Sequence, residues 1–141
     1  MDVTPEMASQ LIYQLILMDV EYIVAPYEAD AQIAYLFHHG IVEAVLTEDS
    51  DLIPFGCKKV FYKMDGNGDG FEIDMDQLER AKKPSFEGFT KKDLLLSCVI
   101  GGCDYVESLK GMGYRTAQKF VSKNLGKSMD SLLDKLNKET Q

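Results

Sequence analysis

Two short acidic pairs, Glu28-x-Asp30 and Asp49-x-Asp51, are the residues best suited to chemistry in this chain. In locally extended backbone, residues two apart face the same way, so each pair offers two carboxylates in one direction. Brought together, the four acids would repel one another and raise their pKa values unless a cation neutralised them. Hard oxygen ligands of this kind select Mg²⁺ or Mn²⁺ over softer metals. Two such ions about 3.5 to 4 Å apart activate a water and stabilise the leaving oxygen of a phosphodiester. A blander reading competes: Glu28 and Asp49 sit near helix N-termini, where acids favour the helix dipole and cap backbone amides. For either pair alone that reading is sufficient.

Which reading holds depends on the elements that carry the pairs. Thr4-Pro5 is an N-cap followed by a proline at the first helical position, and Met7, Leu11, Leu15 and Met18 then recur at helical spacing, predicting a helix over 5–19. Residues 22–25 form a short β-rich run ended by Pro26; residues 28–39 have a helical pattern stopped by Gly40; residues 41–46 are a second β-branched run. Strand, helix, strand is the βαβ signature, which predicts two parallel strands with a right-handed crossover. Each acidic pair follows one of those strands, so all four acids are expected at the carboxyl edge of one sheet, where open α/β folds bind ligands. With both pairs so placed, the metal reading leads.

Further along, residues 60–63 and 71–73 flank Asp65-Gly66-Asn67-Gly68-Asp69-Gly70, a hairpin pattern. The same turn has a rival reading as an EF-hand calcium loop, with Asp65, Asn67, Asp69, Gly70 and Asp76 in register. An EF-hand needs a helix entering the loop, and Pro54, Gly56 and Val60-Phe61-Tyr62 oppose one, while Glu72 stands at the usually apolar eighth position. The hairpin is preferred. Phe61, Tyr62 and Phe71 could stack on bases, but as strand residues they are expected to pack a core. Thr90 caps a predicted helix through Leu94, Leu95, Leu96, Val99 and Ile100; another runs to about Lys123 and an amphipathic one over 128–138.

The 141 residues, 45% of them hydrophobic, suit one globular domain with its own core, and no stretch approaches the length of a membrane span. Nor does the first segment have the layout of a signal peptide. Cys57, Cys98 and Cys103 make no CxxC pair, which argues against a disulfide framework or structural zinc and reads them as core residues. The net charge is −8, yet from Leu109 to Met129 there is no acid while Lys110, Arg115, Lys119, Lys123 and Lys127 all occur. A basic segment in an acidic chain implies one surface for a polyanion and another that concentrates carboxylates. Gly111 and Gly113 let backbone amides approach a phosphate there, and a helix beginning near Tyr114 offers its positive end. A glycine-rich link with a solvated basic face is the plainer alternative. His38 and His39 at a helix end and Ser50 between two acids are given no catalytic role.

In order along the chain stand Ala25-Pro26-Tyr27-Glu28-Ala29-Asp30-Ala31-Gln32, Thr47-Glu48-Asp49-Ser50-Asp51-Leu52, Phe55-Gly56-Cys57, Lys63-Met64-Asp65 and Gly102-Cys103-Asp104-Tyr105. Together they resemble the internal region of the flap-endonuclease/XPG nucleases, and the PYEADAQ tyrosine, the FGCKKV run and KMD point to the exonuclease I branch. The resemblance spans roughly residues 4–122. It implies an α/β fold, a parallel sheet flanked by helices, with a C-terminal helix-two-turn-helix element: an internal nuclease region over 1–103 and a DNA-binding region over 104–141.

The resemblance also implies a Mg²⁺-dependent 5′→3′ exonuclease on double-stranded DNA, with Mn²⁺ able to substitute and 5′-flap cleavage as a further activity. Nicked, gapped, free-5′-ended or flapped duplexes are the implied substrates. Glu28, Asp30, Asp49, Asp51 and Asp104 match the family's two-ion metal site. Lys110, Gly111, Gly113, Arg115 and Lys119 fall in its duplex-gripping element, where backbone carbonyls of Ser108 and Met112 match those that hold K⁺. Gly101 stands where a serine is often found. Mismatch-repair proteins as partners, a role in end resection and a nuclear location follow from the same resemblance, and no membrane is involved. The family's N-terminal acids, phosphate-steering Lys and Arg and helical arch are not in these 141 residues, so the chain is expected to be a fragment or truncated gene model with little activity alone. A non-catalytic DNA-binding remnant is the second expectation.

Overall fold

The computed structural model describes residues 3–139, with side chains as far as 136. Helix α1 (Pro5–Leu17) begins as its cap residues dictate, with Thr4 Oγ1 accepting the Met7 amide at 3.4 Å. Its apolar stripe buries nothing: Leu11, Ile16 and Leu17 are all more than half exposed. Helix α2 (Ala29–His38) ends at Gly40, whose φ of +68° turns the chain so that the amides of Gly40 and Ile41 return to the carbonyls of Phe37 and Leu36 at 3.1 and 3.0 Å. Val42 also reaches the Leu36 carbonyl, at 3.5 Å. That cap moves the strand expected over 41–46: the amides of Ile41 and Val42 are committed to the helix end, and pairing begins only at β1 (Val45–Thr47).

Residues 22–25, expected as the first strand, form none. Among the described residues the sheet has three strands, in the order β1-β2-β3, and none pairs with 22–25. A β-rich run becomes a strand only when a neighbour takes its backbone hydrogen bonds. Ile23 and Val24 are therefore left more than half exposed. The parallel pair is β1 with β2 (Lys59–Tyr62), in register Val45↔Val60, and it is joined by the acidic loop rather than by a helix. Strand β3 (Phe71–Asp74) adds antiparallel to β2, so the sheet is mixed rather than wholly parallel.

The β2–β3 connection is the expected hairpin and not an EF-hand: Asp65 Oδ1 accepts the amides of Asn67 and Asp69 at 2.9 and 3.0 Å, so it closes a turn between two strands. Those amides hold the Asp65 carboxyl below the usual carboxylate range. The aromatic side chains do not pack as expected. Phe61 shares the outward face with Glu72, and Phe71 at the hairpin end is 68% exposed, while Val60 and Ile73 take the inward positions.

A 3₁₀ turn (Met75–Arg80) leads toward α3 (Lys91–Gly101), which opens with a complete capping box between Thr90 and Asp93. Helices α4 (Tyr114–Ser122) and α5 (Met129–Glu139) follow. Gly101 sets how closely α3 and α4 approach, because a Cβ there would lie 2.8 Å from the Tyr114 Cα. One core joins Leu94, Leu96 and Ile100 to Ala117, Val121, Leu132 and Leu136; a smaller one under the sheet holds Ala34, Val45, Leu52, Cys57 and Val60. Ile53 and Ile73 pack against both. Among the described residues, no helix is long and apolar enough to cross a membrane.

Candidate metal and nucleic-acid site

Three local structures deliver five acids. Glu28 is the N-cap residue of α2 with extended backbone, yet its side chain makes no capping bond, so backbone capping does not account for this residue. Asp30 stands in the first turn of α2. Beyond β1 the chain folds on itself: Thr47 Oγ1 accepts the Asp49 amide at 2.9 Å and Asp49 Oδ1 accepts the Asp51 amide at 3.0 Å. Asp49 thus does cap backbone, but through one oxygen only. Asp104 comes from the turn after α3, where Gly102 has φ +92° and Cys103 and Val106 exchange two backbone hydrogen bonds of 2.9 and 3.1 Å.

These acids feel one another. Burial first, then the charges of Asp49, Glu28 and Asp104, push the Asp30 carboxyl above the usual carboxylate range. Burial first, then Asp49, Asp104 and Asp30, do the same for Asp51. No basic side chain offsets either shift, and among the described residues the one ion pair, Lys58–Asp76, involves none of the five. An all-carboxylate donor set with no protein cation fits a hard divalent ion. As they stand, no three of the described His, Cys, Asp or Glu side chains draw tightly enough together to enclose a metal.

One participant carries no metal-ligand expectation and was not singled out by sequence. The Tyr105 hydroxyl donates a hydrogen bond to the Glu28 carboxylate across 77 residues of chain. That bond, with burial and the surrounding acids, raises the phenol to about 12. Its sequence signal is its place beside Asp104 in the Gly102-Cys103-Asp104-Tyr105 motif.

Beside the acids opens a cleft of about 610 Å³, walled by Ile53, Phe55, Leu95, Val99 and Tyr114 with Asp51 and Asp104 at its rim. Cys98 and Cys103 line it half-buried, so of the three cysteines expected in the core only Cys57 is fully enclosed. Burial, followed by the Asp51 charge, lifts the Cys98 thiol to about 11.

The basic segment lies past this turn. Lys110, Arg115 and Lys119 are exposed, as are Gly111 and Gly113. Gly111 has φ +81° and open space around it; Gly113 is the N-cap of α4, its carbonyl accepting the amides of Thr116 and Ala117 at 2.9 and 3.0 Å. Ser108 backs against Gly102 and Met112 closes a turn to the Leu109 carbonyl at 2.8 Å. Helix, two turns and helix make up the element.

Solved structures share this architecture. The catalytic core of Rad2 with a DNA substrate superposes with a TM-score of 0.71 at 28% identity, covering 86% of this chain and 37% of that one. The Holliday junction-resolving enzyme GEN1, in complex with product DNA and a Mg²⁺ ion, gives 0.70 at 26% identity, covering 98% and 34%. Flap endonuclease-1 from Methanococcus jannaschii has the same fold at 24% identity and a TM-score of 0.73, over 92% and 43%. The fold is that of the flap-endonuclease/XPG nuclease domains. The family model described as XPG I-region matches residues 19–104, and the chain belongs to this family, in its exonuclease 1 branch. Exonuclease 1 of Oryza sativa subsp. japonica is 48% identical over 125 residues, covering 89% of this chain and 15% of the relative. Exonuclease 1 of Arabidopsis thaliana is 45% identical over 139 residues, covering 99% and 19%. The chain therefore spans less than a fifth of the length of these relatives.

Proposed function

We propose that this chain carries part of the active site and the duplex grip of a divalent-metal-dependent 5′→3′ exonuclease acting on double-stranded DNA in nuclear DNA repair. The observation that carries the reading is that Asp30 and Asp51 lie within reach of one another's charge and of those of Asp49 and Asp104, with Glu28 also acting on Asp30, and no basic side chain neutralises them. Mg²⁺, or Mn²⁺ in its place, would be held by those five carboxylates. When bound, two such ions supply Lewis-acid stabilisation of the phosphodiester oxygens and make a water nucleophilic near neutral pH. The chain's own part is to aim the carboxylates and to hold the duplex away from the cut through Lys110, Gly111, Gly113, Arg115 and Lys119. Nicks, gaps, free 5′ ends and 5′ flaps are the substrates this reading assigns, with mismatch-repair proteins as partners. Ser108 and Met112 carbonyls would hold K⁺ without help from residue 101, where α4 leaves no room for a serine side chain. The catalytic core of Rad2 is solved with a DNA substrate and GEN1 with product DNA and a Mg²⁺ ion, which supports the substrate and the ion.

The 141-residue chain by itself is expected to cleave a 5′-labelled nicked duplex weakly or not at all in Mg²⁺. Robust, chelator-sensitive turnover by the purified chain would refute that expectation. In a protein of the relatives' length containing these residues, turnover should appear and vanish with chelator. Replacing Lys110, Arg115 and Lys119 together with Ala in that protein should weaken duplex binding at every sequence and lower the slope of log K against log salt by about three, about one per lost phosphate contact. Binding with an unchanged salt slope would remove the grip from this face.

A further inference from the structure

We propose that Tyr105 is a positioning residue for the metal site, its hydroxyl holding Glu28 in the orientation that an ion requires; the inference rests on the metal reading above. Glu28 needs a holder. It is exposed, it makes no capping bond to α2, and no basic side chain pairs with it among the described residues. Its Oε2 receives the Tyr105 hydroxyl, which leaves Oε1 for an ion.

Tyr105 is itself fixed. Its ring meets the edge of Phe55, with centroids 6.4 Å apart and planes at 85°, and the Phe55 carbonyl lies 2.8 Å from His38 Nε2 at the far end of α2. Helix α2 is thereby tied at its first residues through Tyr105 and at its last through His38, both onto the Phe55 loop. The backbone turn that aims Tyr105 also aims Asp104, the next residue back, and is closed by the paired bonds of Cys103 and Val106. One turn thus sets a ligand from its own side of the site and restrains a ligand from the opposite side. Partners that orient metal ligands in this way are worth about 10- to 100-fold in metal affinity.

The test uses the 141-residue chain and Mn²⁺, with free ion followed by electron paramagnetic resonance. Tyr105→Phe keeps the ring and deletes the hydroxyl; it should bind Mn²⁺ about 10-fold more weakly, with circular dichroism, melting in EDTA and duplex binding unchanged. In a Glu28→Gln background the same change should alter affinity by less than about 2-fold, because Tyr105 acts through Glu28. Wild-type Mn²⁺ binding that Tyr105→Phe leaves intact overturns this inference alone. A wild-type chain that binds no Mn²⁺ overturns the metal reading and this inference with it. Should Tyr105→Phe melt markedly lower, the wild type decides: paramagnetic Mn²⁺ must broaden the Tyr105 ring resonances, and ring signals that stay sharp sink the idea.

Discussion

Asp51→Ala, in a protein of the relatives' length, should lose at least about 10³-fold in cleavage rate while binding duplex DNA as before. The magnitude follows from several kcal/mol of transition-state stabilisation residing in bound metal, each ~1.4 kcal/mol being tenfold. On the proposed reading binding is spared because Lys110, Arg115 and Lys119, which would hold the duplex, are left in place. Stability should move the other way. The Asp51 carboxyl is raised in the folded chain, so the folded state holds a proton more tightly than the unfolded one. Such a group favours folding at low pH and costs stability as pH rises from the ordinary value near 3.9 through its raised one. Removing it should leave metal-free melting at pH 7 unchanged or higher. Near-normal turnover would take Asp51 out of the site, and a collapse of the fold would show that its role is structural.

Gly102→Ala is the second large effect. The residue sits at φ +92° and ψ 139°, a region open essentially to glycine alone, and an added Cβ would meet Ser108 at 2.8 Å from its Cβ and 3.0 Å from its backbone nitrogen. Strain and backbone collision together should cost about 3 kcal/mol, which lowers the melting temperature by roughly 10 °C in a domain of this size. Gly40→Ala makes the control. Its φ of +68° is also left-handed, but nothing lies within 4 Å of the new Cβ, so about 1 kcal/mol is expected. Because Gly102 aims Asp104 and Tyr105, cleavage should fall with stability in the first variant and not in the second. Equal melting of the two proteins would show that the turn yields freely.

The acids were legible because their chemistry is written in residue type and spacing, and the ends of α2, α3 and α4 because Gly40, Thr90 and Gly113 act on their own neighbours. What could not be read depends on distant partners. Residues 22–25 have the composition of a strand, but composition does not supply a neighbouring strand. Val45 became the first paired residue because a helix cap consumed the amides before it. The bond from Tyr105 to Glu28 joins residues 77 apart, and Gly102 is constrained by Ser108 only after the chain has turned. The strand meant to deliver the first pair is absent, and it is the N-terminus of α2 that brings Glu28 and Asp30 within electrostatic reach of Asp49.

The division into two cores has a thermodynamic consequence. Glu28, Asp30, Asp49 and Asp51 are rooted in elements of the smaller core, whereas Asp104 follows a helix of the larger one, and among the described residues Ile53 and Ile73 pack against both. An ion shared by all five would bridge the seam and be released by the melting of either side, so mass action would couple the two. Calorimetry should therefore resolve two overlapping heat-absorption peaks in EDTA, which merge into one sharper, later peak as Mn²⁺ is added.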